Sequence, residues 1–279
     1  AAFDGPPFHP AVLASFQNVR EIRPKPMQSA ARLVPDPATR TLVIEVNEDH
    51  SQGKRNFSIN HETSHTLIPT YSGRLIDDLV TGQFAASSEE ELLCDVGASA
   101  LLLDDRWLRP LAQEAGPSLS TLFSLAELFD ASLEATARKL AELDIWPCAF
   151  VFWEGDFRKS ERISSSQMMM PFLEPLGTPK PKFRVKRPYV SQGFEIYIPE
   201  NKSVDDTSLV ATCCDSDLIT FGTELFDLGS FQGVLYCENA YVPYRSAGVV
   251  HRRVLSLLIR TQMKRSDFVI HDMFSLENL

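Results

Sequence analysis

Two histidines and a glutamate lie at a spacing that can hold and use a metal ion. His61-Glu62-Thr63-Ser64-His65 reads as HExxH. On a helix, residues i and i+4 share a face, so His61 and His65 can present two imidazoles to one cation. Glu62 is then placed to take a proton from a water held there. Zinc lowers the pKa of such a water to roughly 7, which makes hydroxide available at neutral pH. The plain alternative is a surface helix that happens to contain these residues. An apolar lead-in, Phe57-Ser58-Ile59, and an extended run upstream, Thr41 to Val46, favour a built site.

A catalytic zinc site needs a third protein ligand. His50, His251 and His271 have no spacing to recommend them. The acidic start Glu89-Glu90-Glu91 opens a helix on which Glu91, Asp95 and Ala98 share one face, and the small Ala98 would let it approach the metal helix. Glu91 is the expected third ligand and Glu90 its competitor. Two overlapping capping boxes bear on this. Ser88-x-x-Glu91 would turn Glu91 onto its own backbone, whereas Ser87-x-x-Glu90 would leave it free. Asp95 is expected to orient a histidine ring. Two histidines and a carboxylate suit Zn2+, and Mn2+ or Fe2+ also accept that set. Tyr71 is the nearest tyrosine that could help hold an oxyanion.

Arg55-Asn56-Phe57-Ser58-Ile59-Asn60 leading into His61–His65, followed by Glu91-Leu92-Leu93-Cys94-Asp95, resembles the ImmA/IrrE-type metallopeptidases. Their pattern is an apolar lead into HExxH and a downstream ExxAN-like helix. The chain departs from it twice. Ser64 stands where a Gly usually precedes the second His, and Asp95 stands for the usual Asn. Neither removes a ligand. The resemblance implies an α+β multidomain protein: a zincin-like (gluzincin) peptidase domain, a helix-turn-helix unit and a GAF-like α+β domain. It also implies a protein substrate, a helix-turn-helix transcriptional repressor whose cleavage switches on a stress or DNA-damage response.

These residues need elements to hold them. A short helix is expected over 10–20, strands over Ala30–Val34 and Thr41–Val46, and the metal helix over 57–67, stopped by Pro69. The acidic helix runs from Glu89 to Leu103, and Pro110, Gly116 and Pro117 mark a loop. Two helices follow in 118–143, broken at Asp130-Ala131-Ser132, with Ser132 as cap of the second. Later expectations are strands at Cys148–Trp153, Phe194–Ile198, Leu209–Cys214, Leu218–Phe221 and Gly233–Tyr236, then a helix over Ala247–Met263. Segment 154–188 reads as a long connection or two strands around a loop. The expected domains are 1–115 (peptidase), 116–147 (helix-turn-helix) and 148–279 (GAF-like, with a basic stretch at 156–187).

The 279 residues are 44% hydrophobic and 23% charged, which suits a water-soluble protein of two or three modest domains. No apolar run is long enough to span a bilayer, and the start lacks the basic and apolar stretches of a signal peptide. Five cysteines without a CxxC pair argue against a disulfide framework and fit a reducing cytoplasm. A net charge of -10 opposes nucleic acid as the default partner. The helix pair agrees: from Ser118 to Asp144 five acids face two bases, Arg138 and Lys139. Direct DNA binding is therefore the disfavoured reading, and packing or substrate docking the favoured one. Lys180–Arg187 reads first as an edge strand protected by its charges. Arg252 and Arg253 could hold an anionic ligand of the GAF-like domain, though no motif names one.

Overall fold

The structure is a computed structural model that describes residues 5–68, 75–157, 181–246 and 249–260. Its contacts divide the chain into two compact units: 1–114 with 120–139, and 115–119 with 140–279.

The first unit is built on a small mixed sheet of order β1-β3-β2. Strand β3 (Thr41–Asn47) is central, with β1 (Val19–Lys25) parallel to it and β2 (Ala31–Asp36) antiparallel. β3 is buried from Leu42 to Asn47, and its apolar residues Leu42, Val43, Ile44 and Val46 are interrupted by one charge, Glu45. That carboxylate is 4% exposed and meets Arg32 at 2.6 Å and Lys25 at 3.3 Å. Helix α1 (Pro10–Ser15) precedes the sheet, and α2 (Gln52–His65) follows it. Ala14, Leu33, Ile44, Val46 and Ile59 meet in the core between sheet and helices. Then come α3 (Leu75–Thr81), α4 (Ser88–Leu102) and α5 (Asp105–Ala115).

Helices α6 (Leu119–Leu128) and α7 (Leu133–Leu143) form the expected pair, and Ser132 Oγ accepts the Ala135 N–H at 3.1 Å as an N-cap would. Their turn is fixed to α2. Asn56 Nδ2 donates to the Asp130 carbonyl at 2.9 Å, and a Cβ at Gly53 would lie 2.5 Å from the backbone of Ala131 and Ser132. Only glycine permits that approach.

The second unit is a five-stranded antiparallel sheet of order β5-β4-β10-β7-β6. Its strands are β4 (Cys148–Asp156), β5 (Lys182–Val190), β6 (Thr220–Asp227), β7 (Gln232–Tyr241) and β10 (Arg253–Arg260). Strands β8 (Tyr244–Ser246) and β9 (Val249–His251) pair separately. Helix α8 (Leu209–Ser216) packs on β6, β7 and β10. Within that core Trp153 Nε1 donates to Ser256 Oγ, which in turn bonds Asn239 Oδ1.

Several elements differ from the sequence expectations. Leu209–Cys214 is helical, because Ser208 Oγ caps the turn by accepting the Ala211 N–H at 3.2 Å and one face buries Val210, Ala211, Cys213 and Cys214. The C-terminal apolar run is strand β10, not a helix. Val254 to Ile259 are buried on both faces, and hydrogen bonds to β4 and β7 on either side outweigh a spacing that also fits a helix. Residues 195–198 form no strand; a short 3-10 turn, Gln192–Phe194, precedes them. Helix α1 ends at Ser15, a turn covers 16–18, and strand β1 begins at Val19 within the expected helix. Pro110 lies inside α5, where a loop was expected. The basic stretch holds two strands at its ends, β4 and β5, and its 158–180 interior lies outside the described residues, as do Pro69 and Tyr71.

Candidate metal centre

Helix α2 places His61 and His65 one turn apart, with ring centroids 5.1 Å from each other. Its other face is tied down by Asn56, which bonds the Asp130 carbonyl, and by Ile59 in the core, so the histidines are carried on a fixed stem. Helix α4 supplies the facing groups. Ser87 is its N-cap: the Ser87 side chain accepts the Glu90 N–H, and Glu90 reaches back to the Ser87 N–H at 2.7 Å. This capping box uses Glu90 and leaves Glu91 to point at α2. Glu91 Oε2 stands 3.1 Å from His61 Nε2, and Oε1 stands 3.8 Å from His65 Nε2.

These three side chains keep one ligand atom each within 4.8 Å of the others. A tetrahedral zinc with bonds of about 2.0–2.1 Å puts its ligand atoms about 3.3–3.4 Å apart. The 3.1 and 3.8 Å separations, each to a different oxygen of Glu91, straddle that value, and with all ligand atoms within 4.8 Å the donor set can close on a small divalent cation. Burial pushes the His65 pKa below its ordinary value, which favours the neutral ring that a ligand must be. Phe84 packs edge-on against that ring, with centroids 5.6 Å apart.

The remaining ring nitrogens are also engaged. His61 Nδ1 lies 2.9 Å from Asp95 Oδ1. His65 Nδ1 lies 3.2 Å from Cys94 Sγ, a partner that the sequence reading did not single out. Burial first, and then the nearby carboxylates, push the Cys94 thiol up to about 12, so it is protonated at neutral pH. The close approach of α4 to α2 comes at Gly97, beside the fully buried Ala98. A Cβ at Gly97 would stand 2.6 Å from Ser64 Oγ. Glycine inside a helix was the available sequence signal for that contact.

Glu62 belongs to the same cleft. Burial drives its carboxyl up to about 7, opposed by His61 and by the Leu33 N–H that it accepts, and reinforced by Glu91. A cation beside it pulls the other way, toward ionisation. The cleft encloses about 610 Å³ and is bounded by α2, α4 and the start of β2, with Leu79 and Phe84 closing one side. Among the described residues β2 is bonded to β3 alone, and apart from the Leu33 N–H taken by Glu62 its second edge has backbone groups to offer a chain lying in the cleft. Among the described residues no helix is long and apolar enough to cross a membrane.

Residues 17–141 match the family model described as Peptidase_M78, IrrE N-terminal-like domain. That segment, which carries α2 and α4, is similar to the family, and the similarity points to a metallopeptidase-like or regulatory role. Among solved structures, the chain is similar to one titled "Mycobacterium tuberculosis transcriptional regulator". The TM-score is 0.54 at 14% sequence identity, over 90% of this chain and 70% of that one. The likeness is one of fold. No curated protein matches the sequence.

Proposed function

We propose that this protein is a metal-dependent, site-specific endopeptidase that acts on a folded regulatory protein. The single observation that carries the reading is the convergence of His61, His65 and Glu91 beside Glu62 in one cleft. His61, His65 and Glu91 would hold the metal, with Zn2+ the first choice and Mn2+ or Fe2+ compatible. A cation held there supplies Lewis acidity for amide hydrolysis. Glu62 is the general base: it accepts a proton from the attacking water and later delivers it to the leaving amine. An extended substrate segment lying along the free edge of β2 would bring its scissile bond over Glu62.

By resemblance of sequence, we infer an order of parts like that of the Deinococcus radiation-response regulator IrrE (PprI). We infer from it a transcriptional repressor of the helix-turn-helix class as substrate and a DNA-damage or radiation response as output, in the cytoplasm. Five free, buried cysteines agree with a reducing compartment. The α6–α7 pair is read as a helix-turn-helix unit serving packing and substrate docking, supported by its turn against α2. The second unit is read as a GAF-like sensor for an unidentified small molecule, supported by its antiparallel sheet backed by α8.

The neighbour's title favours a second reading, a regulator that binds DNA through α6–α7 and keeps a non-catalytic metal site. Glu62→Gln separates the two. It should keep fold and metal affinity and lower cleavage of candidate repressors by about 10²–10⁴-fold, followed by mass spectrometry of the fragments. If the variant still triggers the response in cells, the peptidase reading fails. Sequence-specific duplex binding that survives physiological salt and is lost in Arg138→Glu supports the second reading.

A further inference from the structure

Each histidine of the centre has its two ring nitrogens committed in the same way. Nε2 faces Glu91, and Nδ1 faces a second α4 side chain: Asp95 for His61 at 2.9 Å, Cys94 for His65 at 3.2 Å. A neutral imidazole offers a lone pair from Nε2 only when Nδ1 carries the proton. At His65 that N–H is shielded from water, since the side chain is 5% exposed and Cys94 is fully buried. A buried N–H without an acceptor keeps its full desolvation penalty, which favours the wrong tautomer.

We propose that Cys94 is a positioning residue of the metal centre: its sulfur accepts the Nδ1–H of His65 and holds that ring in the tautomer whose Nε2 can bind the cation. The proposal rests on the metallopeptidase reading. It makes α4 the source of three groups within five residues: a ligand, Glu91, and the two groups that set its partner rings, Cys94 and Asp95. The two settings are unequal. A carboxylate is a strong, charged acceptor and a thiol sulfur a weak one. His61 is therefore held firmly and made the richer donor, while His65 relies more on packing against Phe84. Removing the sulfur removes the only acceptor that the described residues give Nδ1 of His65.

The test is Zn2+ affinity, measured by competition with a chromophoric chelator, for the wild type, Cys94→Ala and Cys94→Ser. Cys94→Ala is expected to weaken Zn2+ binding about 10–100-fold, and Cys94→Ser, whose hydroxyl can accept the same proton, to recover most of that loss. Failure of the wild type to bind Zn2+ strikes at the metallopeptidase reading itself. Wild-type binding with an unchanged Cys94→Ala affinity overturns only the role of Cys94. Serine behaving like alanine, with both variants as stable as wild type without metal, does the same, because it leaves sulfur volume as the cause. Should the variants fail to fold, long-range proton–nitrogen spectra of the Zn2+-loaded wild type decide. His65 must show a protonated Nδ1 and a ligating Nε2, and the opposite assignment refutes the proposal.

Discussion

The seam between α2 and α4 gives the sharpest test of how the centre is held. A Cβ at Gly97 would stand 2.6 Å from Ser64 Oγ and 3.1 Å from Ser64 Cβ. Gly97→Ala therefore pushes stability two ways. Alanine in place of a helical glycine gains about 0.5–1 kcal/mol. Overpacking a filled contact costs about 1–3 kcal/mol. The outcome depends on whether Ser64 can yield. Its hydroxyl donates to the Asn60 carbonyl at 2.8 Å, in a residue that is 4% exposed. Rotating it away forfeits about 1 kcal/mol of hydrogen bonding, and the tight Cβ contact persists in every rotamer. A net loss of about 1–2 kcal/mol is expected. Ser64→Gly empties the contested space, so in that background Gly97→Ala should be neutral or stabilising. Urea unfolding of the metal-free wild type, both single variants and the double variant gives the cycle. Glu91 sits on the same helix, so Gly97→Ala should also weaken Zn2+ binding, and the double variant should restore it. A coupling below about 0.5 kcal/mol, or Gly97→Ala stabilising the Ser64 protein, would show that the helices have room and refute the argument.

Two further outcomes follow from the cores. Ser256→Ala leaves the Trp153 N–H and Asn239 Oδ1 without their shared partner, so unfolding should shift by about 1–3 kcal/mol; no change in the urea midpoint would count against that chain. Glu45 is held below the ordinary glutamate range by its hydrogen bond to Arg32 and, after the opposing cost of burial, by Lys25. A depressed folded pKa gives stability that is fully present above the unfolded value near 4.3 and is lost as pH falls through the folded value. Its cationic partners are half-exposed, so solvent screening holds the gain to about 1 kcal/mol or less. Glu45→Gln should flatten the acid limb of a stability–pH curve, and an identical limb in the variant would remove Glu45 as its cause.

The sequence by itself carried the local half of the centre. Helical spacing puts His61 and His65 on one face whatever surrounds them. The run Ser87-Ser88-Glu89-Glu90-Glu91 contained both capping boxes, and tertiary structure chose between them: Ser87 takes Glu90 and α4 lies where Glu91 meets both Nε2 atoms. Short apolar runs were the hard cases. Leu209–Cys214 and Val254–Ile259 each fit either period, and the choice rests on partners far away in sequence: a Ser208 cap with a buried face for one, two hydrogen-bonded neighbours for the other. Cys94 and Gly97 meant little in isolation. A cysteine in a helix is usually filler and a helical glycine usually a weakness, until α2 is laid against them. Which groups can bind a metal is a property of residue type and spacing along one helix; which ring nitrogen is free to do so depends on contacts from a second helix, 29 residues on from His65 at Cys94.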